Sequence, residues 1–267
     1  MQVAGTVIAV IGGGNGIGRQ VVLELLRRGA RVAAADIRAD SLAETADIAA
    51  AGDRLMTMTV DITDRAVVEA LPGQVIDALG QVDGVIVVAG VIQPFVRLAE
   101  LDHDAIQRVI DINLWGTIHV LKAFLPHLLV RPAAHIATFS SMGGFLPVPG
   151  QTIYGASKAA VKLMTEGLYA ELLDTHVGVS VVMPGAVATE ITANSGVATP
   201  GGAQSAERSR FPMTSAENAA RIVVDGIEAG DLHIHVGRDS RLMGLATRIA
   251  PRRATHLITR KMKSLLG

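Results

Sequence analysis

Ile11-Gly12-Gly13-Gly14-Asn15-Gly16-Ile17-Gly18 decides how this chain is read. It follows an apolar, β-branched run that begins at Thr6, and it precedes residues 19–28, which are rich in good helix formers. Glycine permits a tight turn and lets the backbone approach a pyrophosphate, which then rests at the positive end of the helix dipole. A glycine cluster also occurs for packing alone; its place between a strand and a helix at the start of the chain points to nucleotide binding. Gly12, Gly14, Asn15, Gly16, Ile17 and Gly18 are therefore candidate cofactor contacts.

Beyond this turn, short apolar runs at 6–11, 31–36, 54–60, 82–88, 135–140, 177–183 and 233–236 alternate with longer stretches of helical period. The runs are apolar almost throughout instead of alternating, as expected of parallel strands covered on both faces. Repeated βαβ units imply an α/β, doubly wound parallel sheet of about seven strands, with helices on both faces. One catalytic domain over 1–237 accounts for most of the chain, followed by a basic helical extension over 238–267 broken at Pro251. The longest stretch without an obvious strand or helix, 186–214, holds Gly196, Pro200, Gly201 and Gly202, and its position after a strand favours a lid.

The 267 residues carry 24 Lys and Arg against 25 Asp and Glu, so nothing in the overall charge favours nucleic acid. The imbalance is local. Eight basic residues against Asp239 alone give 238–267 about seven positive charges. A solvated helix face is the commoner cause, and contact with anionic lipid or a partner is the other reading. Cysteine is absent, which removes disulfides and thiolate chemistry and fits a reducing interior. With no basic leader and no apolar run near 20 residues, the expectation is a soluble, cytoplasmic protein.

The second strand ends at Asp36-Ile37, where a carboxylate can accept from ribose hydroxyls and repel a 2′-phosphate. NAD(H) is preferred over NADP(H) on this ground, with Arg38 nearby able to soften the discrimination. An ordinary turn-capping role for Asp36 is the alternative. Asp61-Ile62 stands where an adenine edge is contacted, or Asp61 begins the following helix.

Tyr154 and Lys158 lie four residues apart, hence on one face of a helix. A neighbouring cation together with an oxidised nicotinamide lowers a phenol's pKa, and bringing it from about 10 to neutrality takes roughly 4 kcal/mol of favourable interaction. Tyr154 can then exchange a proton with a substrate oxygen. Ser141, at the end of the fifth strand, can hold that oxygen, and Asn113 sits mid-helix, where asparagine is a mediocre former.

Taken together, the glycine turn, Asn113, Ser141, Tyr154 and Lys158 closely resemble the short-chain dehydrogenase/reductase family, in its compact single-domain branch, over roughly residues 3–236. The resemblance implies a Rossmann fold and a catalytic tetrad. Ser141 would orient the carbonyl, Tyr154 act as general acid/base, Lys158 bind the nicotinamide ribose and Asn113 support a water relay. It also implies that Pro184, Gly185, Val187 and Thr189 meet the nicotinamide end, and that Ala89 and Gly90 belong to the cofactor-binding segment after strand four. Two segments depart from the family pattern: Ile11 replaces a threonine, and Val87-Val88 replaces two asparagines.

The function so implied is hydride transfer between NAD(H) and a secondary alcohol or ketone. Phe95, Met142, Phe145, Leu146, Ile191, Val197, Phe211 and Met213 suggest an apolar substrate, although such residues are more often core. A dinucleotide-binding sensor or scaffold is the rival and would need no Tyr/Lys pair. An enoyl reductase would space that pair more widely. The resemblance further implies a homotetramer or homodimer built on helices near 104–128 and 152–175, with no nucleic acid partner. His233 and His235 share a strand face without an evident third ligand, so no metal site is expected.

Overall fold

All five residues of the first strand, β1 (Val7–Ile11), are buried, so both of its faces are covered. Side chains of a strand alternate, and the two cores divide accordingly: Val7, Ala9 and Ile11 join one apolar cluster, Ile8 and Val10 the other. The computed structural model describes residues 1–188, 191–197 and 213–262.

Along the chain, β1 is followed by α1 (Gly16–Arg27), β2 (Arg31–Asp36), α2 (Ala39–Ala49), β3 (Leu55–Thr59), α3 (Arg65–Leu79) and β4 (Gly84–Val87). There follow α4 (His103–Ile110), a π-helical segment (Asp111–Gly116), α5 (Thr117–Leu129), β5 (Ala134–Phe139), α6 (Thr152–Glu171) and β6 (Val177–Pro184). Among the described residues the chain continues with α7 (Ile191–Asn194), α8 (Ala216–Ala229), β7 (His233–Val236), α9 (Arg238–Ile249) and α10 (Pro251–Lys261). The strands form one parallel sheet in the order β3-β2-β1-β4-β5-β6-β7. Val68 and Leu71 of α3 and Phe124 and Leu128 of α5 fill one face, whereas Val21, Val22 and Leu25 of α1 and Val223, Val224 and Ile227 of α8 fill the other.

This is the doubly wound sheet expected from the sequence, with seven strands whose ends differ from the anticipated ones by two residues at most. The order reverses between β1 and β4, and at such a switch the loops leaving the strands' carboxyl ends part to leave a crevice. Three local expectations need correction. The helix after β3 is capped by Asp64, which accepts from Ala66 N (3.0 Å) and Val67 N (3.2 Å), while Asp61 closes the preceding turn by accepting from Thr63 N at 2.9 Å. Asn113 lies in a π segment instead of a regular helix. The stretch after β6 is not without structure: α7 forms there, and Val187 bridges Thr214 in parallel.

Candidate active site

At the switch point the glycine turn is shaped by close approaches. A Cβ at Gly12, which has φ +90°, would lie 2.6 Å from Ala89 N, and one at Gly18 would overlap the Gly12 carbonyl oxygen. The turn is bound to the sheet by Gly12 N and Gly13 N, which donate to the Ala35 carbonyl at 2.7 and 3.0 Å. Ile11 and Val88, two of the departures from the family pattern, meet here. Val88 N and Ala89 N both donate to the Ile11 carbonyl, at 2.8 and 2.9 Å.

A cleft of about 890 Å³ runs along the carboxyl ends of the strands. Gly12, Asn15, Gly16, Ile17 and Gly18 line it after β1, Asp36 and Ile37 after β2, and Asp61 and Ile62 after β3. Ala89 and Gly90 line it after β4, Ser141 after β5, Tyr154 and Lys158 on α6, and Pro184, Gly185 and Val187 after β6. Gly14 and Asn113 stand behind the wall, and Thr189 falls outside the described residues. α1 opens on the cleft with no acidic residue in its first turn, so the positive end of its dipole is available to an anion. Asp36 faces the cleft and also accepts from Gly14 N (3.0 Å) and Arg38 N (3.1 Å).

At the other end, Tyr154 and Ser141 flank Gly143, whose missing Cβ would lie 3.3 Å from Tyr154 Cε1 and 3.5 Å from Ser141 Oγ, and Ser141 Oγ is fixed by accepting from Gly143 N at 3.0 Å. Lys158 is 4% exposed and its Nζ donates to the Phe139 carbonyl at 2.8 Å, while Ser140 Oγ donates to the Lys158 carbonyl at 2.7 Å. Burial lowers its pKa to about 8, which still leaves the ammonium largely charged at neutrality. Burial pushes the Tyr154 phenol up, with Ser141 opposing the shift, and Lys158 Nζ donates to a carbonyl of β5. Asn113 is fully buried with its amide spent on the chain: Oδ1 accepts from Val91 N (2.8 Å), and Nδ2 donates to Val91 O (2.9 Å) and Ser157 Oγ (3.0 Å).

Several cleft residues escaped the sequence reading. Asp104, Gln107, Arg108 and Asp111 form a charged wall on α4 and the π segment, legible only as the polar face of an amphipathic helix. Asn194 of α7 accepts from Arg38 at 2.8 Å, and Arg108 donates to the Ser195 carbonyl at 2.9 Å, which seats residues 191–197 at the cleft. Of the apolar residues suggested for substrate, Ile191 lines the cleft, Leu146 is fully buried core, and Phe211 lies outside the described residues. His233 and His235 bind separate partners, Glu166 (2.6 Å) and Ser240 (3.0 Å).

Comparison with known proteins agrees with this arrangement. Residues 6–199 match the family described as short chain dehydrogenase. SadH of Mycobacterium tuberculosis, classed as an oxidoreductase, is 33% identical over 251 residues, spanning 92% of this chain and 91% of that protein. A short chain dehydrogenase/reductase from Burkholderia phymatum, solved in complex with NAD, superposes with a TM-score of 0.82 at 28% identity, over 93% of this chain and 96% of that one. A short chain dehydrogenase from Burkholderia cenocepacia, solved with NADP, gives 0.81 at 25% identity, over 97% and 99%. With the parallel sheet, the glycine turn and these relatives together, the chain belongs to the short-chain dehydrogenase/reductase family and is an oxidoreductase of that family.

Proposed function

We infer that the protein transfers a hydride between NAD(H) and a secondary alcohol or ketone, with Tyr154 as general acid/base. The observation that carries this reading is the grouping of Tyr154, Ser141 and Lys158 at one end of a cleft whose other end is the α1 glycine turn and Asp36. The donor set fits a dinucleotide: a helix N-terminus without acidic residues for the pyrophosphate, a carboxylate at the adenosine end and a buried ammonium at the other. When bound, the nicotinamide supplies the hydride acceptor or donor.

In the oxidative direction the substrate hydroxyl gives its proton to the Tyr154 oxygen as the carbinol hydride leaves; in the reductive direction the phenol returns it. Ser141 Oγ, oriented by Gly143 N, holds the substrate oxygen beside the phenol. Lys158, with one N–H committed to Phe139, keeps further donors for ribose hydroxyls and for stabilising the phenolate, an effect that the cation of the oxidised cofactor strengthens. Asn113, its amide held by Val91 and Ser157, steadies the wall behind Lys158. Asp36 favours NAD(H) over NADP(H) by repelling a 2′-phosphate. Residues 191–197 act as a lid within one catalytic domain, and Val187 and Thr189 meet the nicotinamide end.

An assembly of two or four copies would cover the exposed Leu163 and Tyr169 of α6 and Leu173 just beyond it, and the absence of cysteine suits the cytoplasm. No helix among the described residues is long and apolar enough to cross a membrane. The deciding experiment incubates the protein with NAD+ or NADH and a panel of secondary alcohols and ketones, following nicotinamide absorbance. Turnover that falls by about 100-fold or more in Tyr154→Phe, with NADH still bound, supports the assignment; equal turnover in that variant removes Tyr154 from the chemistry.

A further inference from the structure

Three consecutive residues after β4 tie together otherwise separate parts of the cleft. Val91 exchanges two hydrogen bonds with Asn113 of the π segment, and Ile92 N donates to Ser195 Oγ at 3.0 Å. Gln93, 0% exposed, turns its side chain onto the start of α6. Its Oε1 accepts from Ile153 N at 2.7 Å and from Tyr154 N at 3.0 Å. Its Nε2 donates to the Gly150 carbonyl at 3.0 Å, and its own carbonyl accepts from Gln151 Nε2 at 2.8 Å. The first N–H groups of a helix have no partner inside it, and Gln151, at the cap position of α6, makes no side-chain cap bond. A residue some sixty positions earlier does so instead, at the very amide of the tyrosine that meets Ser141.

We propose that Gln93 is a positioning residue for Tyr154, fixing the first turn of α6 so that the phenol stands against Ser141. The proposal rests on the reading of Tyr154 as the general acid/base. A residue needed only to fill space could be apolar; an apolar residue here would strand two buried N–H groups next to the phenol. The link is also directional. Because the same three-residue segment holds Ser195 of the segment over the cleft and Asn113 behind Lys158, a shift at Gln93 moves the proton donor relative to the rest of the site.

The test compares Gln93→Met, which keeps the volume and loses both the acceptor and the donor to Gly150, with Gln93→Glu, assayed at a pH where its carboxyl is protonated and so keeps both. On an alcohol or ketone that the unaltered protein turns over, kcat in Gln93→Met is expected to fall by about 10- to 100-fold, as for a misplaced reacting group, with NADH affinity within about 3-fold. Gln93→Glu is expected to recover most of that loss. Two further readouts need no substrate. Amide exchange at Ile153 and Tyr154 should quicken in Gln93→Met and slow again in Gln93→Glu. The phenol of Tyr154 should titrate closer to an ordinary tyrosine in Gln93→Met as water reaches it, read as the ultraviolet difference from Tyr154→Phe, with Tyr169 the only other tyrosine to subtract. Unchanged kcat in a folded Gln93→Met, unchanged exchange at those amides, or a lowered melting temperature with the Tyr154 titration left in place would each overturn the proposal. If instead Tyr154→Phe turns over normally, the reading of Tyr154 fails, while the exchange and titration data still decide whether Gln93 sets the helix.

Discussion

Gly90 and Lys158 share one space: a Cβ on Gly90 would lie 2.9 Å from the lysine Nζ and 3.1 Å from Asn113 Oδ1. The missing side chain is what lets a buried ammonium and a buried amide stand side by side at the end of β4. Gly90→Ala is therefore expected to displace Nζ from the Phe139 carbonyl, costing about 1–3 kcal/mol as an overpacked site. Turnover should fall further than stability predicts. Urea unfolding and single-turnover kinetics on the same preparation check both, and a fully stable, fully active variant would show that Lys158 has room to spare.

The carboxylate of Asp36 is held by Gly14 N and Arg38 N and faces the cleft beside the glycine turn. Asp36→Asn keeps an acceptor for Gly14 N and removes the charge. The NADP+/NAD+ affinity ratio should rise by at least about tenfold, equivalent to roughly 1.4 kcal/mol. Dissociation constants for both cofactors measure this, and an unchanged ratio would move the discrimination to Arg38 and its partner Asn194.

Lys158 ties stability to alkaline pH. Its folded pKa of about 8 lies below the ordinary 10.5, so between these values the unfolded chain binds the extra proton and stability rises with pH. The gain is up to about 3 kcal/mol, since each pH unit of separation corresponds to 1.36 kcal/mol. In Lys158→Met this rise should vanish, as read by urea midpoints from pH 8 to 10.5; parallel profiles for the two proteins would show that the ammonium is hydrated.

His135 does the same on the acid side. It is 3% exposed in β5, its Nε2 lies 2.9 Å from Ser180 Oγ, and that hydroxyl donates to the Asp231 carbonyl, so Nε2 is the donor to Ser180. Burial lowers its pKa to about 3 from 6.5. As pH falls below 6.5 the unfolded chain takes a proton that the folded ring refuses, and stability is lost. Between pH 7 and 5 this amounts to about 2 kcal/mol. His135→Gln should lose correspondingly less over that interval, whatever its stability at pH 7; an equal loss would assign the acid sensitivity elsewhere.

The sequence by itself determined the sheet and the residues to look for. Apolar runs separated by helical stretches admit little but a parallel sheet covered on both faces, because buried strands and right-handed crossovers leave few other solutions. The glycine turn, Ser141, Tyr154 and Lys158 were legible because each rests on a local rule: φ above zero, a strand end, a four-residue helical spacing. Tertiary structure alone decided what those groups touch. That Lys158 spends a donor on Phe139, that Asn113 lies in a π segment gripping Val91, and that Gln93 caps α6 all depend on groups distant in the chain. Periodicity reports which face of an element is buried, whereas hydrogen bonding and desolvation are set by whichever atoms the packed layers bring against it.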